Sequence, residues 1–134
     1  MEQPNLRVTS VTIGSSRPLE LARFYAALLG WPVTASDPAR PGEPEGAGWA
    51  QIKPPPDGTG PTLNFEFERC FRRPVWPAEE EQQTASQHLD IHVDDLAAAV
   101  SWAESRGARL AGVQPQDRVR VMIDPDGHPF CLFL

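Results

Sequence analysis

The chain is short of several things, and each shortage removes a class of function. Its 134 residues include only two cysteines, Cys70 and Cys131. That is too few for a disulfide framework, so both are expected as free thiols. Lysine is almost missing: of 12 basic residues only Lys53 is a lysine. The formal net charge of −6 argues against a nucleic acid partner, which usually needs a basic face. No apolar run approaches the roughly 20 residues of a membrane span. The opening stretch MEQPNLRVTS carries no hydrophobic signal core. The expectation is a cytoplasmic protein with no nucleic acid and no membrane as partner.

What remains is ordinary globular material. Hydrophobic residues make up 40% and charged ones 22%, and the length suits one domain with a sizeable core. LRVTSVTIG alternates with period two, placing Ser10 and Thr12 opposite Val11 and Ile13, as a strand does. Pro18 suits a first helical position and Glu20 a first turn. Leu21, Phe24, Tyr25, Leu28 and Leu29 then form one apolar stripe, and Gly30 and Pro32 stop it. This predicts a helix near 17–29. GWAQIK and TLNFEFE read as further strands, the second with Leu63 and Phe65 against Asn64 and Glu66. Residues 69–85, with two prolines and the acidic run Glu79–Glu81, read as a connector.

The order then repeats. QHLDIHV puts His88, Asp90 and His92 on one strand face and Leu89, Ile91 and Val93 on the other. Asp94 or Asp95 caps a helix near 95–106, and Gly107 ends it. RVRVMI and PFCLFL are strands joined by the turn sequence DPDGH. Ser10 to Phe24 spans 14 positions (24 − 10), as does His88 to Trp102 (102 − 88), and Pro-Asp-Gly occurs at 56–58 and at 125–127. An ordered set of this kind marks a duplication. The predicted fold class is α+β: two βαβββ modules forming a curved, cup-like mixed sheet, with helices on the outer face. Module one spans about 6–68, the connector 69–85 and module two about 86–134, in a single domain.

LELARFYAALLGW, HLDIHVDDLAAAVSWAESRGA and DPDGHPFCLFL, from about residue 7 to 134, resemble the vicinal oxygen chelate superfamily. This is the glyoxalase, bleomycin-resistance and extradiol dioxygenase group, and the glyoxalase-like domain branch fits best. The resemblance implies paired βαβββ modules. In metal-using members it implies a divalent ion held by His or Gln on the first strand and Glu on the last strand of each module. Carried over position by position, His88 fits. Ser10 stands in the matching place of module one, and Cys131 where a Glu is expected. Asn64 and Glu66 compete for the remaining place. His92 shares a strand face with His88 but lies about 13 Å along it, too far to share one ion. The resemblance therefore implies vestigial metal positions at Ser10, Glu66, His88 and Cys131. No cofactor is expected, with a divalent metal as the alternative.

Two functions compete. In the first, the cup binds a small planar or aromatic molecule, lined by Trp49, Gln51, Asn64, Glu66, His88, Asp90, His92, Met122, Cys131 and Phe133. In the second, the protein is a lyase, isomerase or dioxygenase-type enzyme, with Glu66 and His88 as metal ligands or as an acid–base pair. The eroded ligand set favours binding. Plainer roles stand beside these. Asp90 is a candidate charge partner for Arg118 or Arg120, and Cys131 a small buried hydrophobe. Trp49 is either a stacking wall or core, and Trp76 either a lid or an interface anchor. His128, in the turn, is expected to be exposed and idle. The sequence leaves open whether the modules pair within one chain or between the chains of a homodimer.

Overall fold

The computed structural model describes residues 1–134. Module one runs β1 (Ser10–Ser15), α1 (Pro18–Leu29), β2 (Val33–Asp37), β3 (Trp49–Ile52) and β4 (Thr62–Phe67). Module two runs β5 (Leu89–His92), α2 (Leu96–Ser105), β6 (Arg109–Leu110), β7 (Val119–Ile123) and β8 (Pro129–Phe133). Each module makes one four-stranded sheet, in the orders β1-β4-β3-β2 and β5-β8-β7-β6. In both, the first strand pairs in parallel with the last, and the remaining pairs are antiparallel. The fold is α+β, built twice from the same plan. Neither helix is long and apolar enough to cross a membrane.

The helices start and stop where local chemistry requires. Pro18 opens α1, and Gly30 closes it at φ 69°, a conformation cheap only for glycine. Asp95 caps α2 by accepting the Ala98 N–H at 3.0 Å. On α1 the buried face carries Leu21, Phe24 and Tyr25. These residues meet both sheets. The Tyr25 ring stacks on Phe65 of β4 at 5.7 Å and stands edge-on to Phe130 of β8 at 5.9 Å. One side chain thus joins the cores of the two modules. The Trp102 indole N–H adds a second tie, donating to the Leu28 carbonyl at 3.0 Å.

The seam also has a polar part. The Asp124 side chain is fully buried, so its charge needs donors on every side. It accepts from the Tyr25 hydroxyl at 2.8 Å, from the backbone N–H groups of Asp126 and His128 at 2.9 Å each, and from His128 Nδ1 at 2.8 Å. Asp126 in turn accepts the Ser15 hydroxyl at 2.6 Å, the Ser16 hydroxyl at 2.8 Å and the Ser16 N–H at 3.0 Å. The connector is strapped to the same turn. Arg73 Nη1 donates to the Pro125 carbonyl at 2.9 Å, and the Arg73 stem lies over Gly127, where any Cβ would collide with it.

Two expectations fail here. Met122 does not face the cup. It is fully buried and packs in the helix-side core with Phe130 and Leu132. The register opposes Met122 to Phe130 and Val121 to Cys131. The end of RVRVMI is apolar on both faces, so alternation alone cannot set its phase. The phase follows from Asp124, two residues on and so of the same parity, which must reach Tyr25 on the helix side. His128 is not idle either: its side chain is 18% exposed and bonded across the seam.

If Tyr25 is the joint, its two contributions separate by mutation. Tyr25→Phe leaves Asp124 one donor short and should cost about 1–3 kcal/mol. Phe130→Ala removes the facing ring and should cost about 3–5 kcal/mol. Chemical denaturation measures both, and an unchanged stability in Tyr25→Phe would contradict the assignment.

Candidate functional site

Apart from Met122, the sequence-predicted site residues lie on the sheet faces turned away from the helices, in two separate groups. On the first sheet, antiparallel pairing sets Trp49 opposite Glu66 and Gln51 opposite Asn64, while parallel pairing sets Ser10 and Thr12 on the same side. Gln51 is tied at both ends of its amide. It donates to Asn64 Oδ1 at 3.0 Å and accepts the Thr34 hydroxyl at 3.1 Å. Ser10, Thr12 and Glu66 are exposed, and Trp49 is half-buried. This group is open to solvent.

The second group borders a hollow, and its polar members also meet water: the His88 and Asp90 side chains are 48% and 61% exposed. Asp90 pairs with Cys131 and His92 with Phe133 across β5 and β8. His88, just before β5, places Nε2 3.2 Å from Asp90 Oδ1. Trp76 of the connector lies on this face, packed against Ala111, Val121, Ile123 and Cys131. Beside Trp76, on the same face, is a hollow of about 520 Å³. Its apolar lining includes Trp76, Val121 and Phe133, and its polar groups include His88, Asp90 and Cys131. Burial pushes the Cys131 thiol up from its ordinary value, and the Asp90 charge and hydrogen bond push it the same way. Cys131 is therefore a protonated thiol here, a poor nucleophile at neutral pH.

The structure thus brings together His88, Asp90, Cys131 and Phe133. His92 is close by, edge-on to Phe133 at 5.5 Å. Trp49, Gln51, Asn64 and Glu66 line neither this hollow nor the larger cavity of about 860 Å³ between β1 and the connector. His88 borders both. Asp90 pairs with His88 and not with Arg118 or Arg120; Arg120 instead donates to backbone carbonyls of its own loop. The residue that alternation missed is Trp76. Its signal was a tryptophan between prolines in the connector, with no period to give it a direction.

A search with family models matches the glyoxalase-like domain over residues 10–133. The chain belongs to the glyoxalase-like domain family. Its place in the vicinal oxygen chelate superfamily agrees with solved structures of the same fold. TnmS3, an antibiotic binding protein from Streptomyces sp. CB03234, is 21% identical, with 98% of each chain covered and a TM-score of 0.61. A glyoxalase family protein from Enterococcus faecalis is 20% identical, covering 96% of this chain and 97% of its own, with a TM-score of 0.66. The trypanothione-dependent glyoxalase I of Leishmania major is 18% identical over 96% of this chain and 86% of its own, with a TM-score of 0.64. No curated protein sequence matches the chain.

The family implies a divalent ion in its metal-using members, and the donors present do not fit that ion. Ser10 offers only a neutral hydroxyl. Glu66 stands on the face of the first sheet and His88 beside the hollow of the second. His88, Asp90 and Cys131 do offer donor atoms within 4.8 Å of one another. But that trio comes from module two alone, where the family draws its ligands from both modules, and His88 and Asp90 are half-exposed to water, which competes for the ion. Elemental analysis of the purified glyoxalase-like protein should find no stoichiometric divalent metal. About one zinc, nickel, iron or manganese per chain, absent in His88→Ala, would contradict this.

Proposed function

We propose that the protein binds a small planar or aromatic molecule in the hollow beside Trp76, without a family-type metal. The observation that carries this is the lining. An indole from the connector and the Phe133 ring border a hollow of about 520 Å³ whose polar groups include the His88–Asp90 pair. Pockets for drug-sized ligands run from about 300 to 1,000 Å³, apolar with a few orienting polar groups. Aromatic walls suit a flat ligand, and His88 and Asp90 offer it a donor and an acceptor. The antibiotic binding neighbour of the same fold supports a binding role at that level only.

The enzyme alternative asks Glu66 and His88 to act on one substrate. Glu66 lines neither of the two cavities that His88 borders, and this favours binding over acid–base catalysis. The open face of the first sheet, with half-buried Trp49 beside Glu66, supports a homodimer in which that face closes against a second copy. We place the protein in the cytoplasm.

A thermal-shift screen with planar aromatic compounds supplies the ligand for the test. Trp76→Ala should weaken the best binder by about tenfold or more, and His88→Ala should weaken it too. The free His88→Ala variant should melt almost as the wild type does, because the His88 side chain is half-exposed; Trp76→Ala removes a ring packed on Val121 and should melt lower, so its affinity is measured well below its own melting temperature. Full affinity in Trp76→Ala, with loss in Trp49→Ala, would move the site to the first sheet.

A further inference from the structure

His128 sits where the modules meet, and its ring has no idle nitrogen. Nδ1 lies 2.8 Å from Asp124 Oδ2, and Nε2 lies 2.9 Å from the Gly14 carbonyl oxygen of β1. A carbonyl oxygen only accepts. The Asp124 carboxylate already accepts from Tyr25 and from two backbone N–H groups. A neutral imidazole has one N–H and one lone pair. It would therefore set a nitrogen lone pair against an oxygen at one end or the other. Only the imidazolium, with two donors, satisfies both oxygens.

We propose that protonated His128 is a pH-sensitive latch, helping to hold the Asp124–His128 turn of module two onto β1 of module one and loosening that hold on deprotonation, while the Asp126 bonds to Ser15 and Ser16 remain. Each group facing the ring is consistent with this. From the turn come Asp124 and Asp126, both anionic acceptors. From α1 comes Tyr25. Burial first, and Asp124 second, hold its hydroxyl well above the ordinary range, so it stays neutral. From β1 come the Gly14 carbonyl and the serines bound to Asp126. From the connector the Phe71 ring lies 5.6 Å from the imidazole. Glu68, Cys70 and Arg72 border the same cavity, as does His88.

Burial of the ring works against its charge. The Asp124 hydrogen bond and charge, the Gly14 carbonyl and the Asp126 charge together outweigh it, so His128 is raised above the ordinary histidine value. A raised folded value gives a stabilisation that is full below the unfolded value of about 6.5 and fades as pH rises through the folded one. Deprotonation breaks one particular hydrogen bond. Nδ1–H can stay on Asp124, and the Gly14 carbonyl is left without its donor. Gly14 and His128 both wall the cavity of about 860 Å³, so that cavity is where the seam loosens.

Two measurements on the wild-type protein and one on a variant test the latch. NMR titration of the ring protons should give His128 a midpoint above about 6.5. Amide exchange at residues 14–16, corrected for its intrinsic pH dependence, should accelerate as pH passes that midpoint. His128→Gln keeps a donor and does not titrate. The wild type should lose about 3–5 °C more of its melting temperature between about pH 6 and about pH 9 than this variant does. A His128 midpoint at or below about 6.5 would overturn the latch. So would equal pH dependence in the wild type and His128→Gln. If the variant does not fold, titration and exchange in the wild type decide alone.

Discussion

The buried carboxylate of Asp124 is the constraint on which the rest of the arrangement depends. A charge with no exposed surface is expensive unless every side is met by a donor. Here the donors come from three places: the turn's own backbone, the His128 ring and the Tyr25 hydroxyl on α1. Satisfying one carboxylate therefore fixes the shape of the turn, the rotation of α1 and the docking of one module on the other. The aromatic contacts of Tyr25 with Phe65 and Phe130 supply the apolar half of the same joint.

The hollow is linked to that joint through the connector. Arg73 is bonded to the turn at Pro125, and Phe71 rests beside His128. Three residues beyond Arg73, Trp76 lies on the second sheet and borders the hollow. The connector is thus more than a tether between duplicated halves. It carries a ring that forms one wall of the hollow. No connector residue stands on the first sheet in the same way, and the two polar faces built on one plan differ in that neighbour.

Much of the architecture was legible in the chain. Strict alternation in TLNFEFE and QHLDIHV put Asn64 with Glu66 and Asp90 with His92 on the correct faces, because polar and apolar residues strictly exchange there. The stripe from Leu21 to Leu29, with Pro18 before it and Gly30 after, set α1 almost to the residue. Legibility failed where the pattern carries no phase. VMI near the end of β7 is apolar throughout, so Met122 could be placed only once Asp124 was seen to reach Tyr25. His128 reads as a surface turn residue because its partners are a carbonyl and a carboxylate far apart in sequence or chemically ordinary. Trp76 sits among prolines, where no period aims a side chain. Grouping Glu66 with His88 required knowing how the two sheets face, and strand alternation says nothing about that.

The claim that the hollow bordered by Trp76 on module two is the binding site is tested most directly by a crystal structure with a planar aromatic compound bound. The account predicts the ligand in the hollow beside Trp76, against Phe133 and within hydrogen-bond reach of His88 or Asp90. A ligand seated on Trp49 and Glu66 of the first sheet, or in the cavity between β1 and the connector, with the hollow empty, would contradict it.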